Sequence, residues 1–142
     1  MPNKLLLVLD TWVIASVAKF GPEWADSLEV LTRILNNCHS IVLDYENKVE
    51  TEYRPYLDKE KFLRKWFSEM MSKGKIKLRG LTKLSLQLYI TDDDKKFVEL
   101  VVNTPDHILI SGDSDFVANR GHLDFTSRAI RIINVQECKN HL

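Results

Sequence analysis

Cysteine is scarce in this chain. Only Cys38 and Cys138 occur in 142 residues, too few and too far apart for a disulfide-stapled scaffold or a thiolate zinc site, so a reducing compartment is expected. Net charge is missing too: twenty basic and twenty acidic side chains cancel, and no overall field draws the protein to nucleic acid or to an anionic membrane. Any such contact must be local. No apolar run approaches the ~20 residues that a membrane helix requires. The opening, Met1 to Leu9, faintly resembles a signal peptide, but Asp10 stops the apolar run after Leu5-Leu-Leu-Val-Leu9 and no small-residue cleavage site follows. A strand and a cytoplasmic protein are expected instead. His39, His107, His122 and His141 are scattered without metal-ligand spacing, and no repeat, low-complexity tract or linker interrupts the chain. With 44% hydrophobic and 28% charged residues, the composition is that of a folded protein rather than a disordered one. The length fits a single domain over residues 1–142.

What is present is an alternation of strand-like and helix-like segments. Lys4-Leu-Leu-Leu-Val-Leu-Asp10 is a continuous apolar run closed by an acid, the pattern of a parallel strand covered on both faces. Ile41-Val-Leu-Asp44 and His107-Ile-Leu-Ile-Ser111 repeat it, and Ala129-Ile-Arg-Ile-Ile133 reads as a last strand. Between the first two, 13–20 and 23–37 read as helices, with Leu28, Leu31, Ile34 and Leu35 on one face and Gly21-Pro22 as punctuation. Helices are also expected over 45–57 and 59–72, parted by a break at Pro55 to Asp58. Thr91 reads as the N-cap of a further helix, with acids in its first turn, that runs through Asn103. Residues 84–90 fit a strand or a helical stripe equally well. Because parallel neighbours need crossover helices, the pattern predicts an α/β domain, a three-layer α/β/α sandwich on a mostly parallel central sheet.

In such sheets ligands bind beyond the carboxyl ends of the strands, and acids stand there. Asp10 closes the first strand, Asp113 and Asp115 follow the strand at 107–111, and Asp94 opens the helix just before it. Crowded carboxylates repel one another, so a cluster ionised at neutral pH implies a bound cation, and oxygen ligands without His or Cys favour Mg²⁺ or Mn²⁺. Each acid also has a plainer reading. Asp10 suits a helix cap, Asp113 an Asx turn, and Asp92 to Asp94 the positive end of a helix dipole. Lysine and arginine concentrate locally: nine basic residues lie between Lys59 and Lys83 against Glu60 and Glu69. Lys73-Gly-Lys-Ile-Lys-Leu-Arg79 is the candidate phosphate-backbone segment, through Lys73, Lys75, Lys77 and Arg79, with a solvated helix and loop as the alternative. Arg128 and Arg131 are secondary candidates. Trp66 and Phe67, in helical spacing with Phe62 and Leu63, point to a core or dimer contact.

Four segments in order resemble the PIN domain: Leu7-Val-Leu-Asp-Thr11, Glu52-Tyr-Arg54, Asp93-Asp-Lys-Lys-Phe97 and Ile110-Ser-Gly-Asp-Ser-Asp115. The resemblance spans nearly the whole chain. It implies a ribonuclease dependent on Mg²⁺ or Mn²⁺, acting on single-stranded RNA, of the kind often found as the VapC-like toxin of a toxin–antitoxin pair. Such a protein would have an antitoxin protein as partner and would often form a homodimer. By the same resemblance Asp10, Glu52, Asp94 and Asp113 are the metal-site acids and catalytic residues, with Asp115 auxiliary to them and the hydroxyls of Thr11 and Ser111 in support. Glu52 is preferred to Glu46 and Glu50 because Tyr53, Tyr56 and Leu57 follow it as the family pattern asks. One departure stands out: Trp12 occupies a position where a small polar residue is usual, which leaves a PIN domain that binds RNA or a partner without cutting as an alternative. A haloacid-dehalogenase-like phosphatase shares the strand-ending Asp and Gly112-Asp-Ser-Asp115, but it needs a second Asp at position 12, where Trp cannot exchange protons.

Overall fold

The computed structural model describes residues 4–142, so the signal-peptide-like opening at Met1 to Asn3 lies outside them. Five strands, β1 (Leu6–Leu9), β2 (Ser40–Asp44), β3 (Ile76–Arg79), β4 (Ile108–Ile110) and β5 (Arg131–Ile133), form one sheet in the order β3-β2-β1-β4-β5. Every neighbouring pair is parallel, with Leu9 beside Ile110, Asp44 beside Arg79 and Ile110 beside Ile133. The sheet expected to be mostly parallel is therefore entirely so. The crossovers are α1 (Thr11–Ala18) and α2 (Trp24–Asn36), α3 (Lys48–Leu57) and α4 (Lys61–Ser72), α5 (Asp92–Val101), and the single-turn α6 (Ser114–Val117) and α7 (Leu123–Thr126); α8 (Val135–Cys138) follows β5. Together they make a three-layer α/β/α sandwich.

Burial explains why the strands read as they do. Leu7, Val8, Leu9, Ile41, Val42, Leu109 and Ile110 are all inaccessible, so neither face of the central strands alternates with solvent. Each such aliphatic side chain contributes roughly 1.5–3 kcal/mol of transfer free energy. In α4 the buried set is Leu63, Trp66, Phe67 and Met70, spaced i, i+3, i+4, i+7. Glu60 caps that helix by accepting the Leu63 amide at 2.8 Å, and the Trp66 indole donates to the Leu31 carbonyl at 2.7 Å, which satisfies the one polar atom that Trp66 carries into the core. Pro55 lies inside α3 rather than ending it. Residues 84–90 form neither strand nor helix. No helix among the described residues is long and apolar enough to cross a membrane.

β3 was not apparent in the sequence. Its residues Ile76-Lys-Leu-Arg79 alternate weakly and its two middle side chains are exposed, because it is an edge strand. Charged side chains on such an edge discourage pairing with another chain.

Candidate metal centre

Strand order reverses between β1 and β4: the chain moves outward from β1 through β2 to β3, then returns to the other side of β1 as β4. The crevice beyond the carboxyl ends of two such strands is where a parallel sheet receives ligands. Asp10 sits there. Its backbone amide continues the sheet by donating to the Ile110 carbonyl at 2.9 Å, while its carboxylate, only 3% exposed, makes no cap hydrogen bond to α1. Asp10 is therefore a poor cap for α1, in which only the Trp12 amide eases its charge. By contrast Asp44, the acid that ends β2, does cap: its two carboxylate oxygens accept the amides of Lys48 at 3.0 Å and Val49 at 2.8 Å at the start of α3.

Ser111 ties the two central strands together. Its hydroxyl donates to Asp10 Oδ2 at 2.6 Å and accepts the Asp113 amide at 3.0 Å. The side chain is fully buried, so its hydroxyl is spent on holding two acids in place. Asp113 then caps α6 by accepting the Asp115 amide at 2.9 Å. The turn reading and the metal-site reading thus use the same carboxylate. Asp94 reaches the crevice from the first turn of α5, set by Thr91, whose hydroxyl accepts the Asp94 amide at 3.3 Å. Asp94, Asp113 and Asp115 each offer an oxygen within 4.8 Å of the others. Three carboxylates from two separate elements meet in one place.

The electrostatics register that crowding. Burial, with Asp94 and Asp113 adding to it against the Ser111 hydroxyl and the Trp12 amide, pushes the Asp10 carboxyl from 3.8 up to about 7. Burial and then the charges of Asp113, Asp115 and Glu52 also raise Asp94, against its Thr91 hydrogen bond. The chemistry of this donor set, carboxylates alone with a positively charged partner at Glu52 only, fits a hard divalent cation.

Glu52 stands apart from that trio. Its Oε2 accepts the Thr11 hydroxyl and lies 3.2 Å from Lys96 Nζ. Next to it the buried Tyr53 hydroxyl donates to the Leu9 carbonyl, so α3 is pinned to the end of β1 by both residues. Lys96 was not singled out by the sequence reading; the only signal was its i, i+3 spacing from Asp93, to which it is 3.9 Å. Beside it opens a groove of about 950 Å³ whose lining carries four lysines, Lys96 among them, and five acids, Glu52 and Asp93 among them. A second overlooked residue is Asp124, which accepts the Leu88 amide at 2.6 Å and so anchors the loop leading to Thr91. Burial would raise this carboxyl, but the Leu88 and Gln87 amides, with His122 and Arg128, outweigh it and hold it below the usual range.

Trp12 packs on Gly112. A Cβ built on that glycine would lie 2.2 Å from the indole Cη2, so the bulky residue at position 12 is accommodated by the absence of a side chain at 112. The indole fills space beside the crevice.

The basic segment 73–79 is placed otherwise than the sequence implied. It is the edge strand β3 and the turn before it, so Lys73 and Lys75 lie at the amino end of the sheet, about 13 Å along the strand from the level of Arg79. Lys75 is committed there: its ammonium donates to the carbonyls of Ile34 at 2.9 Å and Leu35 at 2.7 Å and to that of Asn37, closing the C-terminus of α2. Burial, then the neighbouring Lys73 charge, holds it below the ordinary lysine value. This is a structural cap and not a phosphate contact. Lys75→Met should cost about 1–2 kcal/mol through the orphaned helix carbonyls, as urea denaturation would show; unchanged stability would reverse the assignment. Arg79 alone of the four reaches the carboxyl end of the sheet, in register with Asp44.

Comparison of the chain with protein-family models and with curated proteins finds no match.

Proposed function

We propose that this protein is a metal-dependent ribonuclease of the PIN type. The observation that supports the reading most is the meeting of Asp94, Asp113 and Asp115 within 4.8 Å, beside the buried Asp10, at the switch point of a parallel sheet. The family resemblance carries the choice of RNA. Asp94, Asp113 and Asp115 would hold one Mg²⁺ or Mn²⁺, with Asp10 beside them. Bound there, the cation supplies activation of a water and neutralises charge developing on the phosphodiester oxygens. The chain's own residues fix the geometry. Ser111 locks Asp10 to the Asp113 loop, and Thr91 sets the first turn of α5. The phosphatase alternative lacks its general acid, since the indole at position 12 carries no transferable proton and packs on Gly112.

The test is incubation of the purified protein with single-stranded RNA and Mn²⁺, beside Asp94→Asn and Asp113→Asn. Cleavage should be abolished by chelator and fall about 100-fold or more in both variants. RNA held but uncut would indicate a binding module. Hydrolysis of a small phosphomonoester through an aspartyl phosphate at Asp10 would indicate the phosphatase. Equal cleavage by wild type and both variants would remove the reading altogether.

A further inference from the structure

We infer that Lys96 is a resident cation of this site, occupying with its ammonium the place of a second divalent ion, and that Glu52 is the positioning residue that holds it there rather than a metal ligand. The inference rests on the metal-site reading above and deepens it.

Four observations carry it. The Lys96 side chain is only 12% exposed, and a lysine gives up that much hydration only against a fixed counter-charge. That counter-charge is Glu52 Oε2 at 3.2 Å, the same oxygen that takes the Thr11 hydroxyl, so this carboxylate is turned toward Lys96 and Thr11. Glu52 also lies outside the group of Asp94, Asp113 and Asp115 whose oxygens converge. Finally, Asp93 at 3.9 Å adds attraction, and the pair with Glu52 is an ionic contact, so the ammonium keeps donors for a ligand. Lys96 lines the groove, which carries three further lysines and five acids. A phosphodiester entering between the groove and the three aspartates would find an ammonium with free donors on one side and the divalent ion on the other. Lys96 would then hold a non-bridging oxygen, the work otherwise done by a second ion.

Calorimetric titration with Mn²⁺, with electron paramagnetic resonance to count bound ions, separates the possibilities. Wild type should bind one ion per chain. Glu52→Gln should keep that ion with no more than about a hundredfold loss of affinity, since removing a true ligand costs more than the 10–100-fold typical of outer contacts. Lys96→Met should acquire a second ion on the freed Glu52, while its cleavage of RNA at saturating Mn²⁺ falls. Two ions on wild type, a loss of more than about a hundredfold in Glu52→Gln, or a single ion on Lys96→Met would each overturn the inference and leave the metal centre standing. The wild-type count needs no variant and decides even where a variant fails to fold. A wild type that binds no Mn²⁺ would instead end the metal-site reading and this inference with it.

Discussion

Asp10→Asn should make the metal-free protein more stable at pH 8 while destroying its response to metal. The carboxyl of Asp10 is held at about 7 against 3.8 in the unfolded chain, so between those values the native state keeps a proton that the unfolded state has lost. Stability therefore declines as pH rises from about 4 to about 7 and is level above that. The full displacement corresponds to roughly 4 kcal/mol. An asparagine must still bury its amide next to Ser111, so about half of that is expected as a gain, near 2 kcal/mol, or about 5 °C in thermal midpoint for a chain of this size. The gap between variant and wild type should widen from pH 4 to pH 7 and close below pH 4. Adding Mn²⁺ should reverse the ranking: an ion at a hundred times its dissociation constant stabilises wild type by about 2.7 kcal/mol, and Asp10→Asn should gain much less. Thermal melts across pH, with and without Mn²⁺, test both halves. A variant less stable than wild type at pH 8 without metal would mean that Asp10 is not held against its ionisation.

This prediction depends on the contrast between two strand-ending acids that look alike in sequence. Asp10 and Asp44 each close an apolar run and each precede a helix, yet Asp44 gives both oxygens to helix amides, whereas Asp10 gives one to Ser111 and, of the helix amides, is eased only by that of Trp12. Nothing local separates them. What differs is the strand order, which puts Asp10 at the switch point between β1 and β4 and Asp44 next to the edge strand β3. The central strands were legible because burial on both faces leaves a continuous apolar signature. β3 was not, since an edge strand is exposed at Lys77 and Leu78, and its lysines read as a nucleic-acid patch. The single-turn helices α6, α7 and α8 are shorter than any periodic pattern can show. At the site, the acids at 10, 94, 113 and 115 were found because strand ends and helix starts are visible in one dimension. Lys96 and the loop anchor Asp124 were not, because their partners Glu52 and Leu88 lie 44 and 36 residues away.

Gly112→Ala should destabilise the protein, and substitution of Trp12 should relieve the loss. The alanine methyl would lie 2.2 to 2.5 Å from three atoms of the indole, far inside contact distance, and a rigid bicyclic ring cannot yield as a flexible chain would. Overpacking of this kind costs about 1–3 kcal/mol, or roughly 3–10 °C in midpoint at this length. In a Trp12→Asn background the ring is gone, and the same Gly112→Ala change should cost little, giving a coupling energy of about 1–3 kcal/mol in the double-mutant cycle. An equal cost in both backgrounds would show that the glycine is needed for its backbone rather than for its emptiness. Activity should follow the same coupling. Gly112 is flanked by Ser111, which bonds Asp10, and by Asp113, which caps α6. A ring forced off position 112 therefore pushes on both acids at once, and Mn²⁺ affinity should fall in Gly112→Ala and return in the double variant. Trp12 would then be the residue that requires glycine at 112, and the two positions a single steric unit beside the metal centre.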